Sequence, residues 1–122
     1  MVVRSFEDLI VWQKAHQLTL IIYQMTISYP ADERFGIVSQ IRRSAVSISA
    51  NIAEGQTKTR KDFLRFLEIA RGSLEETKYH LLLSRDLSYC TIPQYDDVSQ
   101  KSDEVGRLLY GLIQKLRTKT DH

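Results

Sequence analysis

The sequence predicts an all-α fold, an antiparallel up-down bundle of four helices forming a single domain over 1–122, on three observations. Apolar residues recur at steps of three and four along three long stretches, and a fourth is apolar around most of its circumference. Short polar or proline-containing breaks separate those stretches. Two prolines and five glycines in 122 residues are too few for the many turns of a β-sandwich. With 43% hydrophobic residues, a chain of this length can bury a core without disulfides or a structural metal. Its 26% charged residues and mean hydropathy of −0.28 argue against a membrane-embedded or a disordered chain.

The first helix is expected over 6–28, with Ser5 as N-cap and Asp8 three residues on, close to a capping box. Tyr29-Pro30-Ala31-Asp32 ends it, and Asp32 is the expected N-cap of a second helix over 33–54. Gly55 then stands at the C′ position that favours glycine. Residues 56–60 read as a polar, basic loop. A third helix over 61–87 is broken by Ser88 to Pro93, and a fourth over 94–117 leaves a tail from Thr118 to His122. Helices of ~22 residues are about 33 Å long and suit a bundle with short loops.

Three of the helices supply a seam. Val38, Ile41, Ala45, Ile48 and Ile52 form that of the second. Phe63, Phe66, Ala70, Leu74, Thr77 and Leu81 form that of the third. In the fourth it is Val98, Ser102, Val105, Leu109, Leu112 and Leu116. Apolar residues also lie off these seams, including Ile10 and Ile21 in the first helix and Tyr79, Leu82 and Leu83 in the third. Ser39, Val46, Ala50 and Ala53 make a further strip of short side chains. Single exposed apolar residues are ordinary, but their recurrence on three helices favours a homo-oligomer with a second buried interface.

Beside the second seam, Arg43, Ser44, Ser47, Asn51 and Glu54 form a polar stripe. Hydrogen bonding to a neighbouring helix is its favoured role, and facing a ligand is the other. Enzymatic readings find little support. Gln13 and Thr77 stand where a di-iron bundle needs glutamates before His16 and His80. No P-loop, Gly-x-Gly-x-x-Gly or His-Glu-x-x-His occurs. Cys90 alone forms neither an internal disulfide nor a zinc cluster. His16, on the apolar side of the first helix near Trp12 and Tyr23, reads as a core histidine. The expectation is a protein that is not an enzyme and needs no cofactor or metal.

Charge is uneven. The chain carries +2, but the stretch from Arg34 to Arg85 holds ten basic and five acidic residues, or +5, leaving −3 elsewhere. Arg42, Arg43, Lys58, Arg60, Lys61, Arg65 and Arg71 are the candidate nucleic-acid-binding residues. For Arg42 and Arg43, pairing with carboxylates fits as well as phosphate contact, since the guanidinium fork suits both. The loop cluster of Lys58, Arg60 and Lys61 also reads as a solvated face. No aromatic residue interleaves with it, so backbone contact to structured RNA or duplex DNA suits it better than base stacking. The opening Met1-Val2-Val3-Arg4-Ser5 lacks a signal-peptide pattern. No apolar run approaches the ~18 residues of a membrane span, so a cytoplasmic location without membrane contact is expected.

Phe6-Glu7-Asp8-Leu9, Trp12-Gln13-Lys14-Ala15-His16, Gln40-Ile41-Arg42-Arg43-Ser44, Ser47-Ile48 and Asn51-Ile52-Ala53-Glu54-Gly55 resemble elements of the bacterial 23S rRNA intervening-sequence proteins. Gly72-Ser73-Leu74-Glu75-Glu76 looks like that family's third-helix motif, so the resemblance covers about Phe6 to Tyr89. The family is similar to the accessory variability determinant proteins of diversity-generating retroelements, which form basic pentamers that bind nucleic acid and a reverse transcriptase. The resemblance implies a helical bundle, assembly into a pentameric ring and a nucleic-acid or reverse-transcriptase partner, and it implies no catalytic site. The alternative, from the apolar faces, is a helical protein-interaction scaffold with no nucleic-acid role.

Overall fold

The computed structural model describes residues 5–118. Four helices, α1 (Ile10–Thr26), α2 (Ile37–Gly55), α3 (Arg60–Asp86) and α4 (Ile92–Thr118), form a four-helix bundle, and no strand occurs among the described residues. The expected tail lies, beyond Thr118, outside those residues, as does His122. α1 and α3 each pack against both α2 and α4, and the α2–α3 contact is the most extensive. Thr26 of α1 meets Arg42 of α2, and the Thr19 hydroxyl donates to the Ala45 carbonyl at 3.2 Å. Between α3 and α4, Lys78 pairs with Asp103 at 3.2 Å and Glu68 with Arg117. No helix is long and apolar enough to cross a membrane among the described residues.

The seam of α2 is buried as its spacing requires, from Val38 to Ile52. In α3 the buried line is Leu67, Ala70, Leu74, Thr77, Leu81 and Ser84, while Phe63 and Phe66 are half-buried around the end of α2. In α4 the line runs Val98, Ser102, Val105, Leu109 and then Ile113, with Leu112 and Leu116 half-buried. A straight helix turns every 3.6 residues, so a strict 3.5-residue repeat drifts off the contact by the last turns.

The polar stripe of α2 resolves into two parts. Ser44, Ser47 and Asn51 face α3. The Thr77 hydroxyl donates to Ser44 Oγ at 2.8 Å, Ser47 Oγ lies 2.8 Å from Ser73 Oγ, and Asn51 Nδ2 donates back to Ser47. Arg43 and Glu54 are exposed and take no part in this ladder.

Several element ends differ from expectation. Phe6–Asp8 is a separate 3-10 turn, and Ser5 accepts from the Glu7 amide, capping that turn rather than α1. Leu9 is extended, packs against the core and starts α1 late. Asp32 does not cap α2. It lies in a 3-10 turn, Ala31–Glu33, after Pro30, and α2 begins beyond Gly36 without a side-chain cap. Here Glu33 is held by the Tyr89 hydroxyl at 2.7 Å, and Tyr29 is buried, which ties this connection to the segment after α3. Pro93 does not precede α4 but sits in its first turn, where a missing amide hydrogen costs nothing. Thr91 and Gln94 cap that turn reciprocally, Gln94 N donating to Thr91 Oγ1 and Thr91 N to Gln94 Oε1. His16 is not a core residue. It is exposed and stacked on Trp12, ring centroids 4.8 Å apart and 9° from parallel.

α3 ends in a Schellman motif, with Tyr89 N donating to Ser84 O and Ser88 N to Arg85 O. Ser88 sits at φ 60°, the left-handed region that disfavours a Cβ. Ser88→Gly is therefore expected to stabilise the fold by about 0.5–1 kcal/mol. A urea midpoint that rises without a change in slope would bear this out, and an unchanged or lower midpoint would refute it.

Candidate nucleic-acid interface

The seven candidate cations do not form one patch. Arg42 and Arg43 lie in the first half of α2, whereas Lys58, Arg60 and Lys61 follow its end. The twelve residues from Arg43 to Gly55 alone span about 18 Å.

Arg42 is turned inward. Its Nε donates to Thr26 Oγ1 at 2.8 Å, its Nη2 donates to the Tyr23 carbonyl at 3.2 Å, and its guanidinium lies 4.5 Å from the Tyr23 ring centroid. Those acceptors belong to the last turn of α1, where carbonyls lack helical partners and the helix dipole favours a cation. No carboxylate pairs with it among the described residues. Arg43, the next residue, is exposed with no hydrogen bond or ion pair among the described residues.

Lys58 and Lys61 are likewise exposed and unpaired among the described residues. They flank Thr59, whose hydroxyl accepts from Asp62 N and caps α3. Arg60, half-buried at the first helical position, is already engaged. Arg65 faces Asp62 at 3.7 Å and Arg71 faces Glu68 at 3.1 Å, both exposed pairs along α3. Such pairs contribute only about 0.2–0.5 kcal/mol, so a phosphate could compete for either arginine.

Three of the cations outside the basic stretch read from the sequence come together. Lys14, Lys101 and Arg107 line a groove of about 370 Å³ between α1 and α4. Arg107 also borders an α3–α4 groove of about 410 Å³ with Arg71, Lys78 and Tyr110. The spacing of Lys101, Glu104 and Arg107 along one side of α4 was their sequence signal. Most of that charge is locally balanced, by Lys14–Glu104 at 3.8 Å, Lys101–Asp97 at 2.6 Å and Lys78–Asp103.

Two titratable groups are shifted by burial. Burial pushes the Cys90 thiol above its ordinary value, which disfavours the nucleophilic thiolate. Burial also drives the Tyr29 phenol up to about 12. No cluster of three or more potential metal ligands occurs among the described residues.

Against known families, the profile of the 23S rRNA-intervening sequence proteins matches residues 7–111. The chain belongs to that family. It is also similar to a protein from Bacteroides thetaiotaomicron described as of unknown function and of the S23 ribosomal protein family. That crystal structure superposes with a TM-score of 0.76 at 33% identity, covering 85% of this chain and 98% of that one. No curated protein matches. Within this intervening-sequence family protein, several motif residues have packing roles: Arg42 anchors α1, Asn51 closes the hydroxyl ladder, and Gly55 lies against Phe63 and Phe66.

Proposed function

We propose that this intervening-sequence family protein is a non-enzymatic, homo-oligomeric accessory protein of the cytoplasm that binds structured RNA or duplex DNA through its basic surface. One observation carries the reading. Lys58 and Lys61 are exposed and without a carboxylate partner at the start of α3, while most other lysines are ion-paired. The helix dipole adds positive potential at that end, and phosphate is the anion such a site favours. Repetition around an antiparallel-bundle ring, pentameric as in the accessory variability determinant proteins, would multiply this field. A reverse transcriptase is the protein partner that the same similarity suggests.

The test is fluorescence anisotropy with labelled hairpin RNA and duplex DNA at about 50 and 200 mM salt. Wild-type protein is expected to bind and to weaken steeply with salt. The Lys58→Ala/Lys61→Ala variant is expected to lose about tenfold in affinity at low salt and to flatten the log–log salt slope by about 2 per chain engaged. No binding at 50 mM, or binding indifferent to salt, overturns the proposal.

A further inference from the structure

The bundle has two outer faces of opposite character. α1 contains no Asp or Glu, and α2 contains only Glu54. Their shared outer face exposes Leu20, Tyr23, Ile27 and Val46, and Phe35 at its edge is 87% exposed. A hollow of about 360 Å³ opens there, lined in part by Tyr23, Phe35, Ser39 and the unpaired Arg43. The outward stripe of α3 is acidic and apolar instead. Glu75 and Glu76 are exposed, and Tyr79 and Leu82 follow at one-turn intervals. Glu75 has no ion pair among the described residues, and Glu76 holds only His80, at 3.2 Å.

The two faces also match in height. Ser44 is bonded to Thr77 and Ser47 to Ser73, so Arg43 stands level with the turn between Glu76 and Tyr79. By the same pairing Leu82 is level with Ser39, and Gly72, with open space around its Cβ direction, is level with Ile48 and Ser49. In a ring whose axis runs along the bundle, every copy stands at one height. Rotation alone then brings cation to carboxylate and Leu82 to the hollow.

We propose that the α3 stripe of one copy docks on the α1–α2 face of the next, with Glu76 and Tyr79 closing on Arg43 and Leu82 entering the hollow. This rests on the oligomeric reading above and specifies its contact. The guanidinium suits both a carboxylate and an aromatic face. Because the two faces differ, the contact is heterologous and repeats until the rotation closes. Leu20, Tyr23, Ile27, Phe35 and Val46 together expose roughly 500 Å² of the ~800 Å² that each side of a standard interface buries.

Light scattering after size exclusion, on wild type, Arg43→Glu, Glu76→Arg and the double reversal, tests the contact. Wild type is expected at a multiple of the 14.2 kDa chain mass. Each single reversal should fall to the monomer with unchanged helical circular dichroism, and the double reversal should regain the assembly. Leu82→Glu, which places a charge in the hollow, should also dissociate it. A monomeric wild type would overturn the oligomeric reading itself. An assembled wild type whose mass the single reversals leave intact, or a double reversal that stays monomeric, would overturn this contact while leaving the oligomer standing.

Discussion

Gly55→Val is expected to destabilise the fold by about 3 kcal/mol, toward the upper end of overpacking effects. Gly55 is buried as the last residue of α2, where the chain turns toward α3. A Cβ built there would lie 2.6 Å from the Phe66 Cβ and 2.9 Å from Phe63 Cδ1. The Phe63 ring can rotate, but the Phe66 Cβ is fixed to the α3 backbone, so the two helices must separate. Gly55→Ala meets the same contact with one carbon, offset by alanine's helix propensity of about 1 kcal/mol over glycine, and should cost about 1–2 kcal/mol. Urea denaturation of both variants decides the matter. A neutral or stabilised Gly55→Ala would mean that the helices yield without strain.

The second large effect is expected at Arg42. Arg42→Lys should cost about 2 kcal/mol, since it loses two charge-assisted hydrogen bonds to the end of α1 and the stacking on Tyr23. Lysine keeps the charge but cannot present two donors along one plane. Arg43→Lys, one residue on and facing solvent, should stay within about 0.5 kcal/mol. Chemical denaturation in a Leu82→Glu background, which removes the contact proposed for Arg43, keeps assembly out of the comparison. Equal midpoints for the neighbouring variants would refute the anchoring role of Arg42.

The contrast between these neighbours shows where the sequence was legible. Burial follows periodicity, so Ile41, Ala45, Ile48 and Ile52 were readable from spacing alone. So was the role of Ser44 and Ser47, because hydroxyls beside a seam must find partners on the facing helix. Direction within the surface was not readable. Arg42 and Arg43 are adjacent in sequence, yet a 100° step turns one toward a hydroxyl and a carbonyl of α1 and leaves the other outside. Nothing local to α2 announces those acceptors.

Element ends failed for a related reason. Asp32 has good capping chemistry, but the buried Tyr29 and the Glu33–Tyr89 bond decide the path of that connection. Gly55 was assigned to a glycine-favouring backbone, whereas every positive φ among the described residues belongs to Ser88. Its smallness serves close helix approach, a demand made by Phe66 from outside the local sequence. The site residues divide in the same way. Lys58 and Lys61 face solvent as loop composition suggested, while Lys14 and Arg107 come together only through the packing of α1 on α4.

The hydroxyl ladder between α2 and α3 fixes which of several near-equivalent packings the bundle adopts. A seam of Ile and Leu tolerates sliding by one turn, because one aliphatic side chain replaces another. The ladder does not. Moving α3 one turn along α2 in one direction sets Ser44 against Leu81 as Thr77 comes to Ser47; in the other it sets Ser47 against Ala70 as Ser73 comes to Ser44. Each slipped arrangement gives up one interhelical hydroxyl pair, at about 0.5–1.5 kcal/mol, while Ser44 and Thr77 keep their bonds to the Ile41 and Ser73 carbonyls of their own helices. The ladder therefore favours one register of α2 and α3, and the relative heights of Arg43 and Glu76 are held by side chains that touch neither of them.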